Sequence, residues 1–561
     1  MEMMKAKTLG TVIVCSAILF GASLFGQASA PAASQTTDND VATLKAQLGE
    51  QQKQIDALKS AMLEQRKLIE KAAANAPAQN TNDTFALPRN KALGDVASTT
   101  PIIPSIAPVT APVINAAQPG NDSTSPLQLK IGDAYITPVG FMDFTSVFRN
   151  HDAGNGIGTN FAGVPYGNVY QNNLTEERLS MQNSRFGFRV DADVLGAHVI
   201  GYMEDDFLGN NATSVAVTSN SNTVRSRLYW VDLRKGAWEL MAGQSWSLLT
   251  PGREGISPLP ANIFYSQNID TNYQAGLVWA RIPELRLVGH FAGDKAAFAL
   301  ALDQAEGYIG GSGGSGIVAV PSALSSTYVG GELNNAATTV SAPNVFPDLI
   351  AKLAFDPVKA FHLELGGILS EFRVWNPTSK ITYTTPGGGG FINANFALAP
   401  GFRILTNNFW SDGDGRYIFG LAPDLAVTSF GSPSLIHSGS TVDGFEWTIG
   451  NTLLYAYYGG VYIGRDVVID TTGKTPALAG WGYTGSSNTQ NRSIQELTLG
   501  FNQTIWKDPK YGALNFMGQY SYVLREPWYV ANNGSPKEAN LNMVFLDLRY
   551  TLPGSAPTIG H

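Results

Sequence analysis

Four arginines at even spacings lie in two short segments of the sequence. Arg185 and Arg189 belong to one segment, and Arg225 and Arg227 belong to the other. Residues at even spacings share one face of an extended strand, and grouped guanidinium groups bind carboxylates or phosphates through bidentate hydrogen bonds. We therefore expect a surface that binds small anions. In a compatible alternative, these arginines pair with nearby acids and stiffen the sheet, the acids being Asp191, Asp193, Glu204 and Asp205.

Other reactive side chains are sparse and scattered along the chain. The six histidines show no close pairing of the kind that a metal site needs, and the sequence predicts no Gly-x-Ser-x-Gly nucleophile elbow, which requires a sharp turn between a strand and a helix. The glycine-rich segments 310–316 and 387–390 lack the Lys-Ser/Thr end of a phosphate-binding loop. We expect no catalytic residues, no metal and no cofactor. The formal net charge of −8 also argues against a nucleic-acid partner.

The segment that carries the first two arginines has the pattern of a β-strand. One face holds Phe186, Phe188, Val190 and Ala192, and the other holds Arg185, Gly187, Arg189, Asp191 and Asp193. A soluble sheet hides the apolar face, whereas a membrane barrel turns it towards lipid and lines a water-filled lumen with the charged face. Repetition of the pattern and the lengths of the connections distinguish the two cases.

The same alternation recurs from about residue 127 to residue 552. Few charged residues (15%) with many aromatics (10%) and 59 glycines favour numerous strands that each carry one apolar face. After the Arg185 strand and the one before it, 141–149, the predicted strands are 197–207, 224–234, 237–248, 273–281, 285–303, 349–356, 361–375, 445–457, 459–466, 495–506, 514–524 and 541–552.

Tight turns and long loops alternate between these segments, which is typical of an outer-membrane barrel. We predict tight turns at 195–196, 234–236, 282–284, 357–359 and 507–512. We predict long loops at 150–176, 209–223, 304–344, 376–392, 470–491 and 531–540. A closed single-chain barrel calls for an even strand number, so we predict an all-β transmembrane barrel of about 16 antiparallel strands over 127–552, with a tail at 553–561. A β-propeller or large sandwich is the soluble alternative, but no repeated blade motif is found.

The chain before the barrel has a different organisation. Lys5 and Lys7 precede an apolar run that ends at Ala28-Ser29-Ala30, which predicts a signal peptide over 1–30 and export to the bacterial outer membrane. A short linker, 31–37, and an α-helical coiled coil, 38–74, follow, and an Ala/Pro-rich tether spans 75–126. The coiled-coil core is Val41, Leu44, Leu48, Ile55, Leu58, Met62 and Ile69. The number of helices stays open, and a single amphipathic helix lying on the barrel is the alternative.

The segment Asn183 to Val194 resembles the Ser-Arg-Phe-Gly-Phe strand of DcaP-like trimeric outer-membrane porins and of phosphate-selective porins. The order of signal peptide, coiled coil, tether and barrel is also similar to the DcaP type. Two further segments continue the likeness, 225–233 and 242–246, and the second of these contains Gln244. The resemblance implies a trimer of sixteen-stranded barrels in membrane lipid, with the coiled coil in the periplasm, through which small and often anionic solutes diffuse.

The resemblance also implies a constriction inside the barrel. Trimeric porins fold the loop after an early hairpin into the lumen, where its acids face arginines on the wall. The corresponding segment here is Leu249 to Gln267, which supplies Arg253 and Glu254. Opposite charges across a narrow opening would orient polar solutes. The predicted pore residues are Arg185, Arg189, Arg225, Arg227, Gln244, Arg253 and Glu254.

A cluster of tyrosines, Tyr455, Tyr457, Tyr458 and Tyr462, has two possible roles. We predict an aromatic girdle at the lipid interface, and the alternative is a set of rings that stack on sugars in the lumen.

The sequence therefore predicts an outer-membrane porin that passes small polar or anionic solutes. The rival hypothesis is a barrel that serves as an anchor, with the coiled coil as a periplasmic spacer or tether. Deletion of residues 31–125 distinguishes them, because a tether would lose its function whereas a pore would still conduct.

Overall fold

The computed structural model describes Lys53 and residues 126–553, except 155, 210–219, 261–262, 264–266, 329 and 334–341. The predicted signal peptide, linker, coiled-coil core and nearly all of the tether lie outside the described residues, as does the tail from 554 onwards. Lys53, which falls in the predicted coiled coil, is helical and exposed. None of the helices formed by the described residues is long and apolar enough to cross a membrane.

The described residues form 22 strands. Their bounds are β1 Leu129–Ile131, β2 Ala134–Arg149, β3 Glu176–Ser180, β4 Arg185–Val194, β5 Ala197–Asp206, β6 Arg225–Lys235, β7 Trp238–Trp246, β8 Arg281–Phe291, β9 Ala296–Asp303, β10 Asp348–Val358, β11 Phe361–Asn376, β12 Ile381–Ala399, β13 Phe402–Asp412, β14 Leu425–Val427, β15 Pro433–Leu435, β16 His437–Ile449, β17 Thr452–Ile463, β18 Asp466–Asp470, β19 Ala477–Trp481, β20 Asn491–Asp508, β21 Gly512–Pro527 and β22 Ala539–Thr551. Short 3-10 helices lie at Phe161–Gly163, Tyr170–Asn173, Ser312–Gly314 and Gly415–Tyr417.

These strands close into a sixteen-stranded antiparallel barrel, as predicted. β2 pairs with β22 from Phe141 to Arg149, which joins the first wall strand to the last. β3 and β4 together make one wall strand, because β2 pairs with β4 along its first half and with β3 along its second. β1 folds back on β2, while β14 with β15 and β18 with β19 form two small hairpins in the loops.

The two ends of the barrel differ in their connections. One end, the short rim, has turns at 195–196, 236–237, 292–295, 359–360, 400–401, 450–451 and 509–511. The other end, the long rim, has the connections 150–175, 207–224, 247–280, 304–347, 377–380, 413–436, 464–490 and 528–538. This asymmetry is that of an outer-membrane barrel.

The side chains alternate as the sequence predicted, with polar groups inside and apolar groups outside. In β4, Phe186 and Phe188 are exposed while Arg185 and Arg189 are buried. The same holds in β2, where Met142 is 65% exposed and its neighbour Asp143 is 4% exposed. An apolar exterior around a polar interior is the reverse of a soluble protein and suits a barrel surrounded by lipid.

Three predictions around β8 and β9 are wrong. The predicted turn 282–284 lies inside β8, where Pro283 faces Gln244 of β7 near the end of the strand. The real turn interrupts the predicted strand 285–303 at 292–295. Ala292, Gly293 and Asp294 have positive φ there, a left-handed turn that the apolar flanks concealed. The predicted strand 273–281 is loop up to residue 280.

Further predictions fail between β11 and β17. The predicted loop 376–392 is a hairpin of β11 and β12 closed by residues 377–380, and the strand β13 was missed. The glycine run 387–390 looked like a loop, but it lies in β12 close to its neighbours. A Cβ on Gly389 would lie 2.4 Å from the carbonyl oxygen of Trp410 on β13. The predicted strand 445–457 is divided by the turn 450–451 into β16 and β17.

The long-rim connections pack together into an apolar core. Buried residues from five connections contact one another and lumen-facing wall residues such as Val147 and Phe545. Representative members of this core are Phe161, Leu249, Ile309, Leu333, Tyr417 and Leu421. This packing holds the polar side chains of the loops in fixed positions against the wall.

Candidate functional site in the barrel lumen

Two arginines of β6 and two acids of β5 form an ion-pair network on the lumen wall. Arg227 donates to Glu204 (2.6 Å) and to Asp206 (2.8 Å), and Arg225 donates to Asp206 (2.7 Å). A register shift between β5 and β6 makes a bulge there, so that Arg227 and the next residue, Leu228, are both buried. Glu204 and Asp206 are two residues apart in β5 and therefore share one face of the strand. This spacing could have identified Asp206 as a partner of the arginines, but only Glu204 was predicted.

The arginines of β4 continue this network towards the short rim. Arg189 forms a double hydrogen bond with Asp191 on the same strand, at 2.7 and 2.9 Å. Arg185 lies 3.8 Å from Glu204, and its backbone position depends on a close approach of β2. Gly140 of β2 has a φ of 135°, and a Cβ there would lie 2.2 Å from the Arg185 carbonyl oxygen.

Two of the expected acid partners lie elsewhere. Asp193 is on the exposed end of β4 near His198, 3.5 Å away, and Asp205 accepts a hydrogen bond from Tyr229 (2.6 Å). The arginines of β4 and β6 therefore pair with Asp191, Glu204 and Asp206. Four arginines against three carboxylates leave one positive charge in excess.

Tyr273 joins the two arginine-bearing strands from inside the lumen. Its hydroxyl accepts hydrogen bonds from Arg227 (3.1 Å) and Arg185 (3.3 Å). Burial by itself would raise the pKa of Tyr273, but the positive charges of Arg185, Arg227 and Arg281 outweigh burial and lower the pKa to about 8. Tyr273 fell in a segment that the sequence analysis assigned to a strand, so its role was missed.

An aromatic cluster supports this tyrosine and a fifth arginine. The ring of Tyr273 packs edge-on against Trp246 and Trp279. The Arg281 guanidinium lies over both indoles, with 5.2 Å to the centroid of Trp246 and 5.3 Å to that of Trp279. Gly243 in β7 has a φ of 138°, and Ser245 and Trp246 at the end of this strand are both buried. Arg281 adds a second positive charge in excess at this part of the wall.

The connection 247–280 crosses the lumen from β7 to the opposite wall. Its first half descends towards the short rim, where Arg253 forms two hydrogen bonds with Glu446 of β16, at 2.8 and 3.0 Å. The amides of Gly252 and Gly255 donate to Glu364 and Asp356 of the strands β11 and β10, each at 3.0 Å. The predicted segment 249–267 therefore contacts wall strands far from β7.

The second half of this connection returns along other wall strands. The Gln267 amide donates to the Tyr457 hydroxyl (3.0 Å), and the Ala275 amide donates to Glu496 of β20 (2.8 Å). Asp270 then accepts from the amide of Thr159 in another loop (3.1 Å). These contacts bring Tyr273 to the arginines of β4 and β6.

The remaining predicted pore residues occupy different environments. Gln244 is half-buried, and its side chain donates to the Arg227 carbonyl oxygen at 2.9 Å. It therefore braces the wall strand without joining the arginine network. Glu254 is exposed, whereas the neighbouring Arg253 is buried in its ion pair. The structure thus brings Arg185, Arg225 and Arg227 together, and Arg189 lies four residues further along β4. Arg253 and Glu254 lie at a separate position on the crossing segment.

The predicted tyrosine girdle is divided between the two faces of β17. Tyr458 and Tyr462 are exposed on the outer face, as a girdle requires. Tyr455 and Tyr457 are buried inside, with their rings stacked 5.2 Å apart, because they occupy the alternate positions of the strand. Tyr457 donates to Glu446 (2.9 Å) and so belongs to the site around Arg253.

A polar cavity of about 750 Å³ opens at the long rim beside the arginine network. Its lining includes Arg178, Gln182, Asn222, Arg225 and Asn272. Arginine and amide donors around a cavity of this size can bind the carboxylate of a small solute. Among the described residues, no group of three or more His, Cys, Asp and Glu side chains is arranged to hold a metal ion.

Comparison with known proteins finds solved structures with a similar fold, whereas the comparisons by sequence give no match. No protein-family model matches this chain, and no curated protein matches it. The structure is similar to the crystal structure of the outer membrane channel DcaP of Acinetobacter baumannii, with 15% identity and a TM-score of 0.54, over 75% of this chain and 98% of that one. At this identity the match shows a shared barrel fold, and it confirms the resemblance that the sequence motifs indicated.

Other porin structures match at lower similarity. The trimer form of OmpT of Vibrio cholerae has 9% identity and a TM-score of 0.38, over 74% of this chain and 99% of that one. OmpF of Salmonella typhi, in complex with daunomycin, has 8% identity and a TM-score of 0.41, over 76% of this chain and 99% of that one.

Proposed function

We propose that this chain is an outer-membrane porin, a passive diffusion channel for small polar or anionic solutes such as carboxylates. In this proposal residues 247–280 act as an inward-folded constriction loop. The observation that carries it is the joining of this loop to the arginine network, through the hydrogen bonds from Arg185 and Arg227 to Tyr273. The chain would have no catalytic role.

Charge on the lumen wall supports a preference for anions. Arg185, Arg189, Arg225, Arg227 and Arg281 together outnumber the carboxylates with which they pair. A water-filled passage bounded by low-dielectric walls focuses such an excess and raises the local concentration of anions. Wall arginines would then serve as transient binding positions, while the crossing loop limits the size of the solute.

The assembly that we propose is a homotrimer in the bacterial outer membrane. Its support is the heptad pattern of residues 38–74, which would place a coiled coil in the periplasm, and the signal peptide pattern of residues 1–30. One similar structure, OmpT of Vibrio cholerae, is described as a trimer form. Loss of residues 31–125 should leave conduction intact, which separates a pore from a tethering protein.

Solute flux from liposomes tests the proposal directly. Purified protein should release a small dicarboxylate faster than an amine of equal size, and an Arg185→Ala, Arg227→Ala double variant should lose that preference. Arg234→Ala is the matched control, because Arg234 lies on the same strand β6 and pairs with Asp294 at the short rim. Equal fluxes of the two solutes through the unaltered protein would contradict the proposal.

A further inference from the structure

The outer face of the barrel carries an unusual polar patch in the middle of its apolar band. The patch consists of Thr406 and Asn408 on β13 and Thr441 and Asp443 on β16, and we call it the exterior polar patch. Asp443 is exposed, and the residues on either side of it, Val442 and Gly444, belong to the inward face. A carboxylate therefore faces outwards from the membrane-spanning wall.

The height of Asp443 follows from the aromatic residues above and below it. Trp447, four residues along β16 towards the short rim, is 44% exposed. Gly439, four residues towards the long rim, pairs with Trp410 on one side and with Tyr462 on the other, and both rings are exposed. Eight residues of strand tilted by about 40° span about 20 Å of membrane height. Asp443 lies midway, about 10 Å from each aromatic level.

The patch is internally hydrogen-bonded. Thr406 and Thr441 donate to the two carboxylate oxygens of Asp443, at 2.6 and 2.7 Å. Asn408 donates to the Thr406 hydroxyl (2.7 Å). Two hydroxyl donors cannot replace the water around an ionised carboxylate, and charged residues on the lipid face of a barrel destabilise it most at the midplane.

A shallow groove lies beside these residues. It has a volume of about 760 Å³, and its floor includes Gly388, Gly439 and Gly460. Elsewhere on the exterior, residues such as Leu287 and Leu546 are exposed and apolar. Small residues at a membrane-exposed surface let another protein backbone approach closely, and polar groups then hydrogen-bond across the contact.

We propose that the exterior polar patch is a protein–protein contact, occupied by the same patch of a second copy of this chain. The patch holds a donor with a hydrogen still available, the second N–H of the Asn408 amide, and an acceptor, the carboxylate of Asp443. A surface with both is complementary to itself about a two-fold axis, where each carboxylate meets the Asn408 amide of the other copy. An acyl chain has no polar group to offer. A two-fold contact cannot close a ring of three, so this contact is additional to the trimer of the proposed function.

The contact is tested with purified protein in liposomes, so that a second copy is the only protein available. Asn408→Cys and Leu546→Cys are each made in a Cys15→Ser background and labelled with an environment-sensitive fluorophore. Brominated lipid should quench the label at 546 and leave the label at 408 largely unquenched. Equal quenching at both positions would overturn the proposal, because lipid would then cover the patch.

Crosslinking identifies the partner face. Thr441→Cys should form a disulfide-linked dimer on mild oxidation, whereas Leu546→Cys should not. Protection of residue 408 without this dimer would also overturn the proposal, since the patch would then meet a different surface. Asp443→Leu, added to the Thr441→Cys protein, should abolish the disulfide-linked dimer. The barrel should keep its heat-modifiable electrophoretic mobility and its conductance. Conductance in that variant separates failure of this inference from failure of the channel proposal.

Discussion

Ionisation of Tyr273 should change the ion selectivity of the channel. Its hydroxyl oxygen lies 3.1 Å from Arg227 and 3.3 Å from Arg185, and its pKa is lowered to about 8. An ordinary tyrosine has a pKa of about 10. With a pKa of about 8, about one tenth of the channels carry a phenolate at pH 7 and about nine tenths at pH 9. The phenolate cancels positive charge at the arginines, so anion preference should fall with a midpoint near pH 8.

Coulomb's law gives the size of the effect. One negative charge about 5 Å from a univalent anion raises the energy of that anion by about 0.8 kcal/mol at the dielectric constant of water. Since about 1.4 kcal/mol corresponds to a factor of ten, anion permeability should fall about fourfold. Tyr273→Phe should show no such transition. Tyr458→Phe, which alters an exposed tyrosine on the outer face of β17, should behave like the unaltered protein.

The fold should persist through this titration. The pKa of Tyr273 is lower in the folded state than in the unfolded state. Its ionisation therefore stabilises the protein fully above about pH 10, and this contribution is lost as pH falls through about 8. Raising the pH from about 7 to about 9 does not weaken the fold through this group. Reversal potentials over that range, with circular dichroism as the control, provide the measurement. Constant selectivity in the unaltered protein, or the same change in Tyr273→Phe, would refute the reasoning.

Two further substitutions test how the wall and the crossing loop are held. Arg253→Ala removes the double hydrogen bond to Glu446, so the constriction loop should loosen and single-channel conductance should rise or become noisy. Glu254→Gln, which alters an exposed neighbour, should leave the conductance unchanged. If Arg253→Ala has the same conductance as the unaltered protein, this contact does not hold the loop. Arg549→Ala removes the positive charge that pairs with the Asp143 carboxylate across the closing seam of β2 and β22. This change should reduce the free energy of unfolding in detergent by about 3–5 kcal/mol, whereas Arg549→Lys should reduce it by less. Equal stability of the two variants in urea titrations would contradict this account of the seam.

The barrel could be predicted because a membrane wall has a simple rule. Every strand must alternate and every strand must pair, so the barrel architecture and the inward face of Arg185 and Arg189 follow from local pattern. The positions of the turns were harder to predict. A proline at 283 suggested a turn where β8 in fact continues, and the left-handed turn at 292–295 carries an alanine where glycine or asparagine is usual.

The lumen could be predicted only in part, because its contacts join residues far apart in the chain. Even spacing identified the arginines of β4 and β6, and alternation within β5 could have identified Asp206 as a partner. Nothing local indicates that Tyr273 reaches those arginines, or that Arg253 meets Glu446 nearly two hundred residues later. Such contacts depend on the path of the 247–280 connection, which is fixed by apolar packing among several loops.

Single-channel recording in planar bilayers tests the central claim most directly. Purified, folded protein should produce stepwise openings, grouped in threes if the trimer is correct, and a salt gradient should give a reversal potential of the sign expected for anion preference. Arg227→Ala should shift that potential towards cations, because a positive charge is removed and Glu204 and Asp206 each lose one arginine partner. A folded oligomer that gives no openings would contradict the channel account and favour the anchor.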